Sequence, residues 1–450
     1  MANAKPYYST DDLIASIKRR ISFPLSQNSL LYSDLVAFLN EEMQLSAVPA
    51  VKQEHEEYFV YKVTVPLING VSRYEIPNRA IGMALRDVKY SDSSGNFYDM
   101  TRIAPDDKAF FQQSNGSNQT ISKYYIEGNE IVLTPLVQAG ASGKLNFFIY
   151  LRPNSLVRND RAATIQNFQK AITVSNNANL EVGDRIYIYT GLSTSPTPEE
   201  YIFEAVASGA GAFQFNIGAT ANDTAANLNT AINNAGIKNI SSTVSTNQAT
   251  VIYSDISTEF DSVKSDTGVL GNAFTIDSQN LYIKFNQLPT TYTDPETMQT
   301  SSLYGVGNLV DFLQTNPGHR TYTYDIPIVA IDGTVASFAV DGLKTYLNNS
   351  SGGVLAFYNI KVGDYICLAN ECIIPQIPPE LHNALAERAA SRVLMSIGDM
   401  QGYQLSMAKI QEMDKKQETL IGSRVEGSVP KVFNRYSLLR LGKSRFRRRY

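Results

Sequence analysis

Lys123-Tyr-Tyr-Ile-Glu-Gly-Asn-Glu-Ile-Val-Leu133 is the stretch on which the reading of the fold turns. Aromatic and β-branched residues run on either side of Glu127-Gly128-Asn129, a turn able to reverse the chain into a hairpin. The same grammar repeats outward from it. Tyr58–Val65, Arg73–Ile76, Ala84–Tyr90, Phe97–Ile103 and Lys144–Leu151 are short β-type runs, punctuated by Pro77-Asn78 and Ser93-Ser94-Gly95-Asn96. Several short strands with regular turn signals predict an antiparallel sandwich or barrel-like sheet.

Helical periodicity brackets these strands. Before them, Ser9 or Thr10 can cap a helix with Asp11 and Asp12 in its first turn and Lys18, Arg19 and Arg20 in its last. Leu13, Ile14, Ile17 and Ile21 form its apolar stripe. A second helix is expected from Ser33-Asp34, stopping before Pro49, so the two make a helical hairpin. After them, Pro378-Pro379 opens a helix carrying Leu381, Leu385, Ala389, Val393 and Ile397, and Gly398 ends it. Another helix follows from about Met400 to Leu420.

The middle of the chain, from about Ala162 to Tyr358, is rich in Asn, Ala, Thr and Gly and reads as β-rich, with one short helix at Thr224–Asn233. Within it, Val182-Gly-Asp-Arg-Ile-Tyr-Ile188 echoes Val362-Gly-Asp-Tyr-Ile-Cys-Leu368, a turn-then-strand pattern used twice. The expected fold class is α+β: an antiparallel β-sandwich-like core with an N-terminal helical hairpin and C-terminal helices, plus a β-rich inserted domain. The expected units are 1–165, the insert 166–358, a hairpin and helical block 359–422, and an extended basic tail 423–450. A chain of 450 residues accommodates two or three folded domains at roughly 150 residues each.

Composition narrows the function classes. Hydrophobic residues make up 43% and charged residues 18%, as in folded proteins rather than disordered ones. The amino terminus has no apolar core of a secretory signal, and no run of about 18 apolar residues occurs, so no membrane segment is expected. Cys367 and Cys372 flank Ala369-Asn370, a two-residue turn that would set them opposite each other in a non-hydrogen-bonded pair. Two small buried thiols and a cross-strand disulfide both fit that register.

Positive signs of catalysis or metal binding are missing from the sequence. His55, His319 and His382 lie far apart and in no ligand spacing, and the C-x4-C pair is no metal signature. Gly140-Ala-Ser-Gly-Lys144 has the wrong count for a phosphate loop and leads into a strand. Asp106-Asp107 and Glu56-Glu57 read as solvated faces rather than paired catalytic acids. The expectation is a non-enzyme with no cofactor and no metal.

Charge is unevenly placed. Formal net charge is −4, yet from Lys431 to Tyr450 there are eight basic residues and no acid, which leaves −12 for residues 1–430. Lys431, Arg435, Arg440, Lys443, Arg445, Arg447, Arg448 and Arg449 alternate with Tyr436, Leu438, Leu439, Phe446 and Tyr450. Basic and aromatic residues together suit nucleic acid or an acidic protein surface, and the interleaved leucines favour protein docking.

Several phrases resemble the head–tail connector proteins of tailed phages, in the form found in crAss-like and related short-tailed phages. They are Ile21-Ser-Phe-Pro-Leu-Ser26, Asn40-Glu-Glu-Met43, Glu56-Glu-Tyr-Phe-Val60, Ile76-Pro-Asn-Arg-Ala-Ile-Gly82, Leu85-Arg-Asp-Val-Lys-Tyr90, Tyr124-Tyr-Ile-Glu-Gly-Asn129 and Arg152-Pro-Asn-Ser-Leu-Val157. Further on come Val362-Gly-Asp-Tyr-Ile366, Ile377-Pro-Pro-Glu-Leu-His382 and Ser423-Arg-Val-Glu-Gly-Ser428. They cover about 1–160 and 360–450; the middle segment departs from the compact members, and its Asn222–Asn233 stretch resembles a small module of phage tail and baseplate proteins.

The resemblance implies a structural virion protein in the phage neck, present in the host cytoplasm during assembly. It would form a closed ring of about twelve copies between the portal protein and a downstream neck or tail ring. Its carboxy-terminal tail would dock on the portal, and DNA would pass through without specific binding. An acidic body suits that passage, because each phosphate neutralised would add favourable counterion release. The alternative is a tail receptor-binding or carbohydrate-binding virion protein, resting on the Tyr- and Asn-rich insert.

Overall fold

The computed structural model describes residues 7–21, 30–68, 70–92, 95–107, 123–134, 143–190, 199–254, 263–266, 273–277, 280–315, 320–339, 344–345, 356–357 and 360–421. The class is α+β, with several antiparallel sheets and helices toward both ends of the chain.

Helix α1 (Thr10–Arg20) starts at Ser9, whose hydroxyl accepts from the Asp12 N–H while the Asp12 carboxylate accepts from the Ser9 N–H at 3.1 Å. This capping box satisfies two otherwise orphaned donors. Leu13, Ile14 and Ile17 are buried as the periodicity demands. The helical run that opens as α2 (Tyr32–Glu42) continues past Pro49, before which the sequence predicts a stop. One wide π turn, Met43–Ala47, leads directly into α3 (Val48–Glu54), with the Val48 N–H bonded to the Met43 carbonyl. Proline lacks an N–H and crowds the preceding turn. It is tolerated here at the opening of α3, just after the local register has widened.

Eight strands build the expected sandwich. β1 (Val60–Pro66), β3 (Ala80–Ser91), β4 (Phe97–Asp99) and β8 (Lys144–Leu151) form one sheet in the order β1-β8-β3-β4. β2 (Arg73–Glu75), β5 (Thr101–Arg102), β6 (Lys123–Glu127) and β7 (Glu130–Thr134) form the other, ordered β2-β7-β6-β5. The β6–β7 hairpin closes on Gly128 at φ +62, with Glu127 opposite Glu130. Tyr74, Val88, Tyr124, Ile131, Leu133, Leu145, Phe147 and Ile149 share the buried layer between the sheets. The run expected as one strand from Phe97 to Ile103 is split, because Met100 is buried where the chain crosses between sheets.

Past the bridging segment β9 (Ser155–Leu156), β10 (Ala163–Val174) enters a second β unit. A lobe follows: β11 (Arg185–Thr190), β12 (Glu199–Val206), β13 (Gln214–Asn216), helix α4 (Ala221–Asn234), β14 (Ile240–Ser245), β15 (Gln248–Tyr253), β16 (Val263–Asp266) and β17 (Phe274–Ile276). The chain returns as β18 (Asn280–Phe285) and makes an arm from β19 (Thr291–Thr293) and β20 (Thr300–Ser302). It continues through β21 (Leu309–Leu313), β22 (Thr321–Asp332), β23 (Val335–Ala339) and the short pair β24 (Lys344–Thr345) and β25 (Ala356–Phe357) to β26 (Tyr365–Leu368).

Six of these strands close on themselves. The path β10-β18-β23-β22-β21-β26 returns to its start, since Thr164 of β10 pairs with Tyr365 of β26. Ile165, Phe168, Ile283, Phe285, Val310, Phe312, Ile328, Phe338 and Ile366 belong to its core, with the Phe312 and Phe338 rings edge-on at 5.0 Å. The expected boundary at 165/166 falls inside β10, and β26 lies beyond the expected boundary at 358/359. The barrel therefore draws on three of the expected units.

The two V-G-D phrases become the same turn. Gly183 and Gly363 take φ of +102° and +94°, a region open to glycine because it lacks a Cβ. The Asp184 carboxylate accepts from the Glu181 N–H at 2.9 Å, and that of Asp364 from the Lys361 N–H at 2.8 Å. Each turn then exchanges two backbone bonds with one residue of an adjoining strand: Ala205 in the first case, Ile165 in the second.

The cysteine register differs from expectation. After the turn at Ala369-Asn370, β27 (Glu371–Cys372) pairs with β9 in parallel, Cys372 opposite Leu156, instead of laddering back on β26. β26 is already bonded on both edges, to β10 and β21, so the returning chain finds no free ladder there. Both cysteines are buried free thiols, and Cys372 Sγ donates to the Asn154 carbonyl at 3.3 Å. Helices α5 (His382–Ser396) and α6 (Met400–Ile421) follow, with the turn at Gly398 as expected.

Candidate docking surface

The two ends of the chain fold into one helical layer. Leu13, Ile17, Leu35, Leu39, Met43, Val51, Leu385, Ala389 and Val393 share a core with Tyr365, Cys367 and Cys372 of the β unit. Strand alternation explains the sharing: Ile366 points into the barrel while its neighbours Tyr365 and Cys367 point out beneath the helices. Charged pairs fasten α1 and α2 to α5. Arg20 Nε meets Glu387 at 2.6 Å, and Arg392 Nε meets Glu42 at 2.6 Å, each carboxylate nearly buried. Ser406 of α6 adds a hydroxyl to the other Glu387 oxygen at 3.0 Å.

His382, at the start of α5, is buried and held by backbone groups on both ring nitrogens. Its Nδ1 accepts from the Tyr8 N–H at 3.1 Å, and Nε2 lies 3.2 Å from the Ile377 carbonyl. Burial pushes its pKa down to about 4, so the ring is neutral with Nε2 as the donor. Burial likewise raises both thiols far above the ordinary range, which leaves them protonated and poor nucleophiles. His55 is exposed, and His319 lies outside the described residues. Among the described residues no group of three or more His, Cys, Asp or Glu is placed to hold a metal ion.

A buried polar junction ties the layer to both β units. Asp311, fully buried on β21, accepts from Arg79 Nη2, from Asn154 Nδ2 at 2.6 Å, from the Asn370 N–H at 3.1 Å and from the Asp325 N–H at 3.0 Å. Arg79 also donates through Nη1 to Asn370 Oδ1 and stands 3.6 Å from Asp325 through Nε. Burial and the neighbouring Asp311 push the Asp325 carboxyl up, against the pull of Arg79. Asn154 receives Gln376 Oε1 on its N–H at 2.8 Å, and Gln376 Nε2 donates to Thr321 Oγ1 at 2.7 Å. Arg79 and Asn154 sit inside two of the phrases singled out by the sequence; Asp311, Asp325 and Gln376 do not.

The β19–β20 arm makes a second fastening. Glu296 at its tip accepts from the Tyr32 N–H at 2.6 Å, supplying a negative charge at the start of α2. Arg158 lies over the Tyr32 ring at 4.1 Å and Arg161 over the Tyr292 ring at 5.2 Å. Arg161 also forks onto Glu371 at 3.1 and 2.7 Å. Neither Asp311 nor Glu296 was picked out by spacing. A lone carboxylate inside the apolar run Leu309–Leu313 was the available signal for the first.

The chain leaves this layer through α6. The basic tail residues, Lys431 through Tyr450, lie outside the described residues. Where α6 and α5 approach α3, a cleft of about 210 Å³ opens beside the π turn. Ala47, Ala50, Ala384 and Leu385 line its floor, while Glu54 and Asp414 stand at its rim. Asp414 is held by Arg388 at 2.6 Å. Exposed apolar side chains, Met395, Ile397, Met400 and Leu405, mark the α5–α6 corner.

No protein-family model matches the chain, and no curated protein matches it. Among the described residues no helix is long and apolar enough to cross a membrane.

Proposed function

We propose that the chain is a structural ring subunit of a tailed-phage neck, joining the portal to the next tail ring and docking through its carboxy-terminal tail. The observation that supports this reading best is the single helical layer built from both chain ends. α1 and α5 are joined by Arg20–Glu387, 367 residues apart in sequence, and the layer runs out through α6 into the basic segment. A rigid body that presents a long exposed helix and a charged apolar tail is suited to holding neighbours in an assembly. The phrases that resemble connector proteins include Arg79 and Asn154 of the buried junction, so they bear on the frame rather than on a cleft for a substrate.

The acidic body, −12 over residues 1–430, keeps a DNA passage free of tight phosphate contacts. The lobe from β11 to β17 is inserted between β10 and β18, shares the barrel's core, and would decorate the ring. Mass measurement of the purified assembly tests the proposal. A closed ring of about twelve chains of 49.7 kDa, roughly 600 kDa, is the expected result. A trimer would favour the receptor-binding alternative, and a monomer at every concentration would defeat the ring.

A further inference from the structure

We propose that the cleft between α3 and the α5–α6 pair holds the carboxy-terminal segment of the same chain, around Phe433, before that segment reaches any partner. This deepens the proposed function, since it rests on reading Lys431–Tyr450 as a docking segment.

Three observations carry it. The first is the cleft itself, about 210 Å³ over a floor of small and apolar side chains. Ala47, Ala50 and Ala384 leave room there for one large apolar or aromatic group, which would gain by leaving water for the Leu381 and Leu385 side chains beside them. The π turn and Pro49 shape one wall, since they set the path of the chain from α2 into α3.

The second is charge. Glu54, Asp414 and Arg388 all line the cleft; Arg388 pairs with Asp414 at 2.6 Å, which leaves Glu54 as an acid with no ion-pair partner among the described residues. The segment 431–450 brings eight basic residues and no acid, with Val432 and Phe433 beside Lys431 and Arg435. An apolar residue flanked by cations matches an apolar floor beside the unpaired Glu54 carboxylate.

The third is reach. Asp414 is on α6 itself, seven residues before its end at Ile421 and so about 10 Å back along the helix. Phe433 lies twelve residues beyond Ile421, a span of about 40 Å when extended. Gly427 and Pro430 fall between them, residues suited to reversing the chain. Return to its own cleft needs only a fraction of that length. A high effective concentration favours this over capture by a second copy.

Holding the tail in this way would keep a basic, apolar segment off nucleic acid and other chains until the portal competes for it. The chain contains no tryptophan, so Phe433→Trp in the full-length protein creates a single reporter. Its emission should lie at shorter wavelength than in the same protein carrying Ala50→Arg or Glu54→Lys, and should not change with protein concentration. Ala50 is exposed and Glu54 half-buried, so neither substitution strikes the core. Trypsin cleavage after Arg445–Arg449 should also be faster in Ala50→Arg than in the parent chain. Solvent-like emission with the cleft intact would overturn the proposal. So would short-wavelength emission that neither cleft substitution moves, or emission that shifts on dilution, which would assign the segment to a second copy. No portal takes part in this readout, so its failure leaves the portal-attachment reading standing, and that reading can fail with the tail still held.

Discussion

Replacing Asp311 with alanine should be among the most damaging single changes the fold can suffer. The carboxylate is fully buried and accepts from four donors, Arg79, Asn154 and the N–H groups of Asn370 and Asp325. Its removal leaves Arg79 with Asn370 Oδ1 and with Asp325, which stands at 3.6 Å and is 39% exposed in its side chain. Breaking one side of a buried ion pair costs about 3–5 kcal/mol, because the remaining charge stays desolvated. Asp325 offsets part of that, so the lower end, about 3 kcal/mol, is expected. Arg79→Met with Asp311→Ala removes both charges but still strands the Asn154, Asn370 and Asp325 donors, at about 1–3 kcal/mol each. The double variant should therefore fall short of the summed single losses by at least about 2 kcal/mol. Urea unfolding followed by far-ultraviolet circular dichroism measures all four corners of the cycle. A loss under about 1 kcal/mol for Asp311→Ala, or strict additivity, would refute the idea that this pair holds the units together.

Other outcomes follow from the same geometry. His382 is held neutral, its pKa lowered from the ordinary 6.5 to about 4, so its contribution is complete above pH 6.5 and is lost as pH falls toward 4. The unfolding free energy should drop over that window by an amount on the order of 3 kcal/mol, and a His382→Gln chain should lack this acid limb; an unchanged profile would contradict it. Cys367 and Cys372 should resist alkylation by iodoacetamide at pH 8 until the chain unfolds, because burial keeps both thiols protonated; rapid labelling of the folded protein would count against the packing described. Deleting Lys431–Tyr450 should leave the unfolding midpoint unchanged while abolishing attachment to portal-bearing capsids, scored by co-sedimentation. Replacing 166–358 by a short linker should prevent folding of the helical layer, since it removes β18, β21, β22 and β23 from the barrel that β10 and β26 complete. A soluble, helical product of that deletion would contradict the shared barrel.

Much of the architecture was legible locally. Ser9 with Asp12, the turn at Gly128 and the stop at Gly398 are signals carried by a few adjacent residues, and each forms where the sequence places it. The β-rich character of the middle segment and its one short helix are also recognisable from composition and periodicity, though many of its individual strands are not. What escapes is pairing at long range. Nothing near Tyr365 announces that its partners are Thr164 and Leu313, so closure of the barrel and the fate of Cys372 depend on edges already occupied. Pro49 reads as a stop because the π turn that admits it has no sequence signature of its own. Glu296 resembles an ordinary loop carboxylate until the start of α2 is brought beside it, and Asp311, though marked by its apolar run, shows its role only once Arg79 stands next to it. The tail is legible as a charge pattern alone, since its role depends on a partner surface.

An image of an intact virion neck, with density assigned to this chain, tests the central claim most directly. The account predicts a closed ring at the capsid–tail junction, with the helical layer and the end of α6 facing the portal and the β11–β17 lobe outward. Finding the chain at the distal tip of the tail, or nowhere in the neck, would contradict it.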